Sequence, residues 1–218
     1  MLKRLLSIRS GRKRYQLNNL AQQIMGQNFI GTEELRSLEK FMSLEVPRKI
    51  PVIPFSHETL ELKKDDYLLI LGVSKFSNGE PVTIRNLQKI FGKNPDIKEP
   101  CFYNQDWYDR EEFIDIPMSE GWYFIRKAVY ENSRAVQPTE LIREYSFPSA
   151  IKCCYSFFVA WLCLEQKLWY HDFVWCNDTD HNGDQIYVGK YHDVDGVNKN
   201  GFSIHRHLAL RPCYGCID

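Results

Sequence analysis

The sequence has no excess of charge of either sign and no long apolar run at its start. Its 28 Lys and Arg residues balance 28 Asp and Glu residues over 218 positions. A secretory signal needs an apolar stretch and a small-residue cleavage site, and the N-terminus has neither. We therefore expect a cytoplasmic protein. The apolar run at residues 153–164 is shorter than the roughly 20 residues that span a bilayer, so it predicts a buried helix.

Several motifs that would identify a chemistry are also missing. There is no glycine-rich phosphate loop, no nucleophile elbow and no dinucleotide fingerprint. Seven cysteines, an odd number without an export signal, indicate reduced thiols rather than a disulfide framework. No reaction class follows from the sequence, and whether the protein is an enzyme stays open.

Positive charge is concentrated at the N-terminus. The first 14 residues carry six Lys and Arg and no acid, which leaves the remainder with six more acids than bases. Such an arm could contact phosphates or an anionic membrane surface, or it could simply be solvated. Short basic termini are more often solvated, so nucleic-acid contact is not expected. This arm is the one segment that could provide it, because an acidic main body repels a phosphate backbone.

Apolar spacing predicts a helical extension after the basic arm. Residues 17–25 have the period of one helical face, and a second helix is expected with Thr32 as its N-cap. The predicted buried face of the second helix is Leu35, Leu38, Phe41 and Met42. Prolines then interrupt residues 43–56, which makes this connector a candidate boundary. We predict an extension over residues 1–46 and a main domain over residues 55–218.

The main domain is predicted to end in an antiparallel meander. Its earlier elements are a buried strand at 67–73, a helix capped by Thr83, a strand at 122–129 and a buried helix opening at Pro148. The last three strands are expected at 170–176, 185–191 and 202–208. Helices first and closely connected strands last predict an α+β fold.

Three C-terminal segments resemble a known family. They are Phe-Val-Trp-Cys-Asn-Asp at 173–178, Ile-Tyr-Val-Gly at 186–189 and Asn-Lys-Asn-Gly-Phe-Ser-Ile-His-Arg at 198–206. After a strand and a helix opening at a proline, they resemble the closing half of C-type-lectin-like domains. The similarity is to bacterial branches such as the Fibrobacter succinogenes major-paralogue and formylglycine-generating-enzyme types. This resemblance implies a fold that presents loops for binding and implies no particular ligand.

A zinc site is one candidate near the C-terminus. His205 and His207 lie two residues apart in a predicted strand, so both imidazoles face the same side. The Cys213-Tyr-Gly-Cys216 turn that follows can place two thiolates on one zinc ion. The alternative is that the histidines are hydrogen-bonded surface residues and the cysteines are unrelated to them.

A calcium site is a second candidate. Oxygen side chains alternate at Asp178, Asp180, Asn182 and Asp184, as they do in calcium loops. The twelfth position is Gly189, where such loops carry a bidentate glutamate. A hairpin turn built from Asp, Asn and Gly explains the same run without an ion. His181, flanked by two of these acids, is also a candidate for acid–base chemistry.

Two hypotheses of function follow from these patterns. The first is a non-enzymatic binding module, and an exposed aromatic patch without convergent acid–base groups would indicate it. It would hold a partner protein or a glycan through an aromatic and polar stretch at 103–112 and through the C-terminal loops. Its candidate ligand-binding residues are Trp107, Tyr108, Trp175, Asn177, Asp178, Asn198 and Asn200. The second hypothesis is a metal-dependent enzyme or metal-stabilised domain centred on the C-terminal His, Cys and Asp residues.

Overall fold

The chain folds into an α+β protein with two sheets. A computed structural model describes residues 18–94, 99–190, 201–206 and 210–218. The described helices are α1 (18–25), α2 (Thr32–Ser37), α3 (His57–Lys63), α4 (Ile84–Phe91), α5 (Pro138–Leu141) and α6 (Ala150–Leu164). The described strands are β1 (Phe29–Ile30), β2 (Tyr67–Gly72), β3 (Gly121–Arg126), β4 (Phe173–Thr179), β5 (Gln185–Lys190), β6 (Phe202–Arg206) and β7 (Tyr214–Gly215).

The first sheet has the strand order β1-β2-β3. Strand β2 is buried at every position, as its continuous apolar run predicts. It pairs antiparallel with β3, from Tyr67 opposite Arg126 to Gly72 opposite Gly121. Its other edge pairs parallel with the two residues of β1. The predicted strands at 67–73 and 122–129 are therefore confirmed, with β3 ending three residues earlier than expected.

The second sheet has the order β6-β5-β4-β7. Strands β4, β5 and β6 form the predicted antiparallel meander, and β7 adds a parallel neighbour to β4. Alternate side chains enter two different cores. Val174 and Val188 belong to the main core, whereas Trp175 and Tyr187 form a second, aromatic cluster on the opposite face. The predicted ends of the last two strands, at 191 and 207–208, lie outside the described residues.

Helix α6 packs against elements of both sheets, contacting β1, β4 and β5 as well as helices α2 and α4. The Ser149 hydroxyl caps it by accepting the Lys152 N–H, so the helix begins two residues after Pro148. Its first eleven residues are buried except for Lys152, which confirms the predicted buried helix. Among the described residues, no helix is long and apolar enough to cross a membrane.

The N-terminal helices belong to the same core as β2. Ala21 and Met25 of α1 and Leu35 of α2 are buried in the main cluster, and β1 between these helices is hydrogen-bonded to β2. The connector at 43–56 therefore does not separate two hydrophobic cores.

Two details of the second helix differ from the prediction. Gly31 precedes the helix and donates its N–H to the Glu34 carboxylate at 2.8 Å, so Thr32 is the first helical residue rather than the cap. The α-helix ends at Ser37 and continues as a 3₁₀ turn at Leu38–Lys40. The change of pitch rotates the following residues, and the Phe41 side chain is 49% exposed. Thr83 does cap α4, as predicted, by accepting the Asn86 N–H.

Asp218 links the last residues of the chain to the first sheet. Its Oδ1 accepts the hydroxyls of Tyr67 at 2.6 Å and Tyr130 at 2.8 Å. Burial raises the pKa of Asp218, but the two hydroxyl donors outweigh that effect and hold the pKa below its ordinary value of 3.8. A lowered carboxyl pKa stabilises the fold above the ordinary pKa, and the contribution is lost as the pH falls through the folded-state pKa.

We expect Asp218→Asn to lower the free energy of unfolding at pH 7 by about 1 kcal/mol, a modest value because the carboxylate is partly exposed. The loss should shrink towards pH 3, where the wild-type carboxyl also begins to bind a proton. Urea unfolding at both pH values measures the difference. Asp65→Asn, which changes another exposed carboxylate, serves as the control. An equal loss at pH 7 and pH 3 would contradict the role assigned to the charge.

Candidate functional site

Residues 101–107 run beside the open edge of β6. The backbone of Phe202 donates to Cys101 O at 2.8 Å and accepts from Tyr103 N at 2.9 Å. Trp107 continues the pairing through its side chain, whose Nε1 donates to Ile204 O at 3.0 Å. An edge strand presents unpaired backbone groups, and this segment covers them. The same path brings Glu111 to the turn between β4 and β5.

The β4–β5 turn is organised by Asp180. Its Oδ1 accepts the backbone N–H groups of Asn182 and Asp184, both at 2.9 Å, and its own N–H donates to Asp184 O at 3.0 Å. Gly183 lies in the left-handed region with φ +85°, which a glycine adopts without strain. This is the hairpin turn that the sequence offered as the alternative to a calcium loop.

The predicted calcium ligands do not surround one point. Asp178 Oδ2 accepts the N–H of Ala150, the first residue of α6, at 2.6 Å, and burial raises the pKa of this carboxyl. Asp180 binds its own turn. Among the described residues, Asp178, Asp180 and Asp184 form no group of three converging ligand atoms.

Asp180 also forms a buried ion pair with Arg206. The distance from Arg206 Nη1 to Asp180 Oδ2 is 2.7 Å, and the Asp180 side chain is fully buried. Burial raises the pKa of Asp180, but Arg206 and the N–H groups of Asp184 and Asn182 outweigh it and lower the pKa to about 2. The guanidinium lies 5.0 Å from the centre of the Trp107 ring, which restricts its position.

Glu111 and His181 complete the cluster. One Glu111 oxygen accepts the His181 backbone N–H at 2.9 Å, and the other lies 2.7 Å from His181 Nδ1. The Glu111 side chain is 6% exposed and that of His181 is 66% exposed. One ligand atom from each of Glu111, Asp180 and His181 lies within 4.8 Å of the other two. Within the described part of the chain, this is the one such group of His, Cys, Asp and Glu.

Two members of this group were predicted from the sequence as candidate site residues. The proximity of the third, Glu111, was not predicted. His181 and Asp180 were predicted as acid–base and metal candidates, respectively. Glu111 lies in the stretch at 103–112 that was assigned to ligand binding, 70 residues away from His181. No local pattern connects the two segments. The pairing of residues 101–107 with β6 brings the two segments together. Residues 101–107 show no hydrophobic periodicity from which this pairing could be predicted.

The described members of the predicted zinc set are held apart by other contacts. The His205 ring stacks on Tyr187 with centroids 5.5 Å apart, and its Nδ1 lies 3.3 Å from Gln105 Nε2. Burial raises the pKa of both Cys213 and Cys216, which disfavours the thiolates that zinc requires. These three residues form no converging group, and His207 lies outside the described residues.

Two of the predicted ligand-binding aromatics are buried. Tyr108 is completely inaccessible and its hydroxyl accepts Gln88 Nε2 at 3.0 Å, while Trp175 is 3% exposed. Trp107 is half-buried against Arg206, and Asn177 is exposed. Asn198 and Asn200 lie outside the described residues. Tyr108 and Trp175 therefore do not form the exposed aromatic surface that the sequence predicted, because their apolar rings fill the two cores.

A small cavity lies beside the same turn. Its volume is about 290 Å³, and it is lined by Gln137–Thr139, Trp175, Gly183–Gln185 and Leu210. The indole N–H of Trp175 is buried and has no hydrogen-bond partner in the described part of the structure. A buried donor without a partner is destabilising, so the Trp175 indole is incompletely satisfied where it packs.

Comparison of the chain with protein-family models, curated proteins and solved structures finds no match. The resemblance to C-type-lectin-like domains stays a prediction. Function is therefore inferred from the geometry of the Glu111–Asp180–His181 cluster and of the cavity beside Trp175.

We expect Asp180→Asn to lower the free energy of unfolding by roughly 2 kcal/mol, because Arg206 then loses its charged partner and the turn loses a charged acceptor. Chemical denaturation at pH 7 measures this loss. Asp184→Asn is the matched control in the same turn, since Asp184 is exposed, and it should change stability by less than about 0.5 kcal/mol. Equal effects of the two substitutions would show that Asp180 does not organise the turn.

Proposed function

We propose that the protein binds a divalent transition-metal ion through Glu111, Asp180 and His181. The observation that carries the proposal is the convergence of these three ligand atoms within 4.8 Å. Glu111 and Asp180 come from distant segments and are both buried. Asp180 pairs with Arg206 and Glu111 with His181, so the convergence of the three ligand atoms, rather than the burial of the carboxylates, supports an ion. This proposal keeps the metal hypothesis from the sequence. It replaces the predicted calcium and zinc ligand sets with Glu111, Asp180 and His181.

The ligand types favour zinc or a chemically similar ion. One imidazole nitrogen and two carboxylate oxygens are ordinary zinc ligands, whereas calcium takes six to eight oxygens. The Glu111–His181 hydrogen bond of 2.7 Å aligns the two side chains, and an ion would replace the shared proton between them. Because His181 is 66% exposed, solvent can complete the coordination. Three protein ligands and an open position are typical of catalytic rather than structural zinc sites.

Zinc chloride added to metal-free protein should bind with 1:1 stoichiometry in calorimetry. Zinc at about 100 times its Kd should raise the free energy of unfolding by about 2.7 kcal/mol. Glu111→Gln and His181→Ala should each weaken binding by more than about tenfold. His57→Ala, which removes an exposed histidine far along the chain, is the matched control and should bind normally.

A second pair of substitutions separates this site from the zinc set predicted from the sequence. Cys213→Ser with Cys216→Ser should leave zinc affinity unchanged if the ligands are Glu111, Asp180 and His181. Loss of binding in the cysteine variant, with normal binding in Glu111→Gln, would overturn the proposal. It would then favour a site at His205 and the two cysteines.

The second candidate is the binding module, for a glycan or a protein partner, and the cavity beside Trp175 favours it. The cavity is lined by the residues Gln137 and Thr139, which carry amide and hydroxyl groups, and by Trp175. A few polar groups placed around a concave apolar wall are typical of small-ligand sites. Such a site would lie on the C-terminal hairpin, where the sequence predicted the binding loops.

A glycan array probed with labelled protein tests the glycan form of this candidate. We expect Thr139→Trp to abolish any binding seen with the wild type, because the indole would fill a cavity of about 290 Å³. Glu140→Trp adds the same ring one position away, outside the cavity lining, and should bind as the wild type does. Binding that survives Thr139→Trp would place the ligand elsewhere on the protein.

A further inference from the structure

Arg206 changes the charge of the proposed metal centre. A divalent ion held by the Glu111 and Asp180 carboxylates and a neutral imidazole would have no net charge. Arg206 adds one positive charge in direct contact, 2.7 Å from the Asp180 carboxylate. The ion, its three ligands and Arg206 would together carry one positive charge, which would attract an anion.

The Arg206 side chain also retains unused donors. A guanidinium has five N–H groups, and the bond from Nη1 to Asp180 uses one of them. Neither Nε nor Nη2 has a hydrogen-bond partner among the described residues, and the side chain is 37% exposed. Trp107 holds the guanidinium from one side at 5.0 Å, so its unused edge is restrained beside Asp180.

The Asp184 side chain opposes an anion. The Asp184 carboxylate lies in the same turn and is exposed, and Arg206 bonds to Asp180 rather than to it. Water and salt screen an exposed charge more than they screen the buried Asp180–Arg206 pair. Asp184 should therefore weaken anion binding without abolishing it.

We infer that the open position of the ion takes an oxyanion, a carboxylate or a phosphate group, which also bonds to the unused N–H groups of Arg206. The inference rests on the proposed metal site. Arg suits this role because its planar donors match the spacing of two oxygens on a carboxylate or phosphate. A neutral ligand of similar size would gain from neither the net charge nor the second hydrogen bond.

The test uses the full chain loaded with Co²⁺, whose visible absorption reports its ligands. Metal binding is established first, from the appearance of the Co²⁺ spectrum at 1:1 stoichiometry. Inorganic phosphate, acetate and neutral acetamide are then titrated separately. We expect spectral changes with phosphate and acetate and none with acetamide, and the stronger of the two anions indicates the source of the oxyanion.

Variants of Arg206 and Asp184 then separate the two interactions. Arg206→Met should still bind Co²⁺ but should bind the anions at least about tenfold more weakly, which is the loss expected for a charge-assisted hydrogen bond. The anion affinity of Arg206→Lys should lie between those of the wild type and Arg206→Met. Asp184→Asn should bind the anions more tightly than the wild type.

Two results would overturn the inference, and they are distinguishable. Unchanged anion affinity in Arg206→Met, with Co²⁺ bound normally, would show that the ion alone holds the anion and would leave the metal proposal intact. Failure of Co²⁺ to give a spectrum in the wild type, before any anion is added, would remove the proposed metal site and the oxyanion site together.

Discussion

The open edge of strand β6 is the constraint on which the candidate site depends. A strand at the edge of a sheet must have its backbone groups covered or exposed to water. Residues 101–107 cover this edge, partly through backbone bonds to Phe202 and partly through the Trp107 indole. The chain then has only a few residues before Glu111, which fixes that carboxylate against the β4–β5 turn. The cluster is therefore a consequence of sheet pairing rather than of any local motif.

The two faces of the second sheet explain why its polar groups collect at the hairpin end. One face packs on α6 and the other on the aromatic cluster that includes Phe173, Trp175 and Tyr187. Neither face has room for charged side chains without partners. Charged residues of β4 and β5 are thus expected at the turn or in ion pairs. Lys190 follows the rule, since its buried amine lies 3.3 Å from Glu99.

Elements with a strong periodic signal could be predicted from the sequence, and contacts between distant segments could not. The apolar run of β2 and the cap at Thr83 were predicted close to their observed bounds. The C-terminal meander was predicted in the right order, but its first strand, expected at 170–176, lies three residues later, at Phe173–Thr179. Strands β1 and β7 are two residues long, too short to show alternation. The burial of Tyr108 and Trp175 was missed because large aromatic side chains are common both in cores and at binding surfaces, and the sequence alone does not separate the two.

The charge of the buried cluster bears on whether it is structural or functional. Asp180 has a full partner in Arg206, which accounts for one of the two buried carboxylates. Among the described residues, Glu111 accepts the His181 backbone N–H and lies 2.7 Å from His181 Nδ1. A group needed only to close the turn would not have to expose most of the imidazole, since the backbone N–H already makes the link. The exposed ring and the unused donors of Arg206 are the two features that support the proposed ion and its ligand.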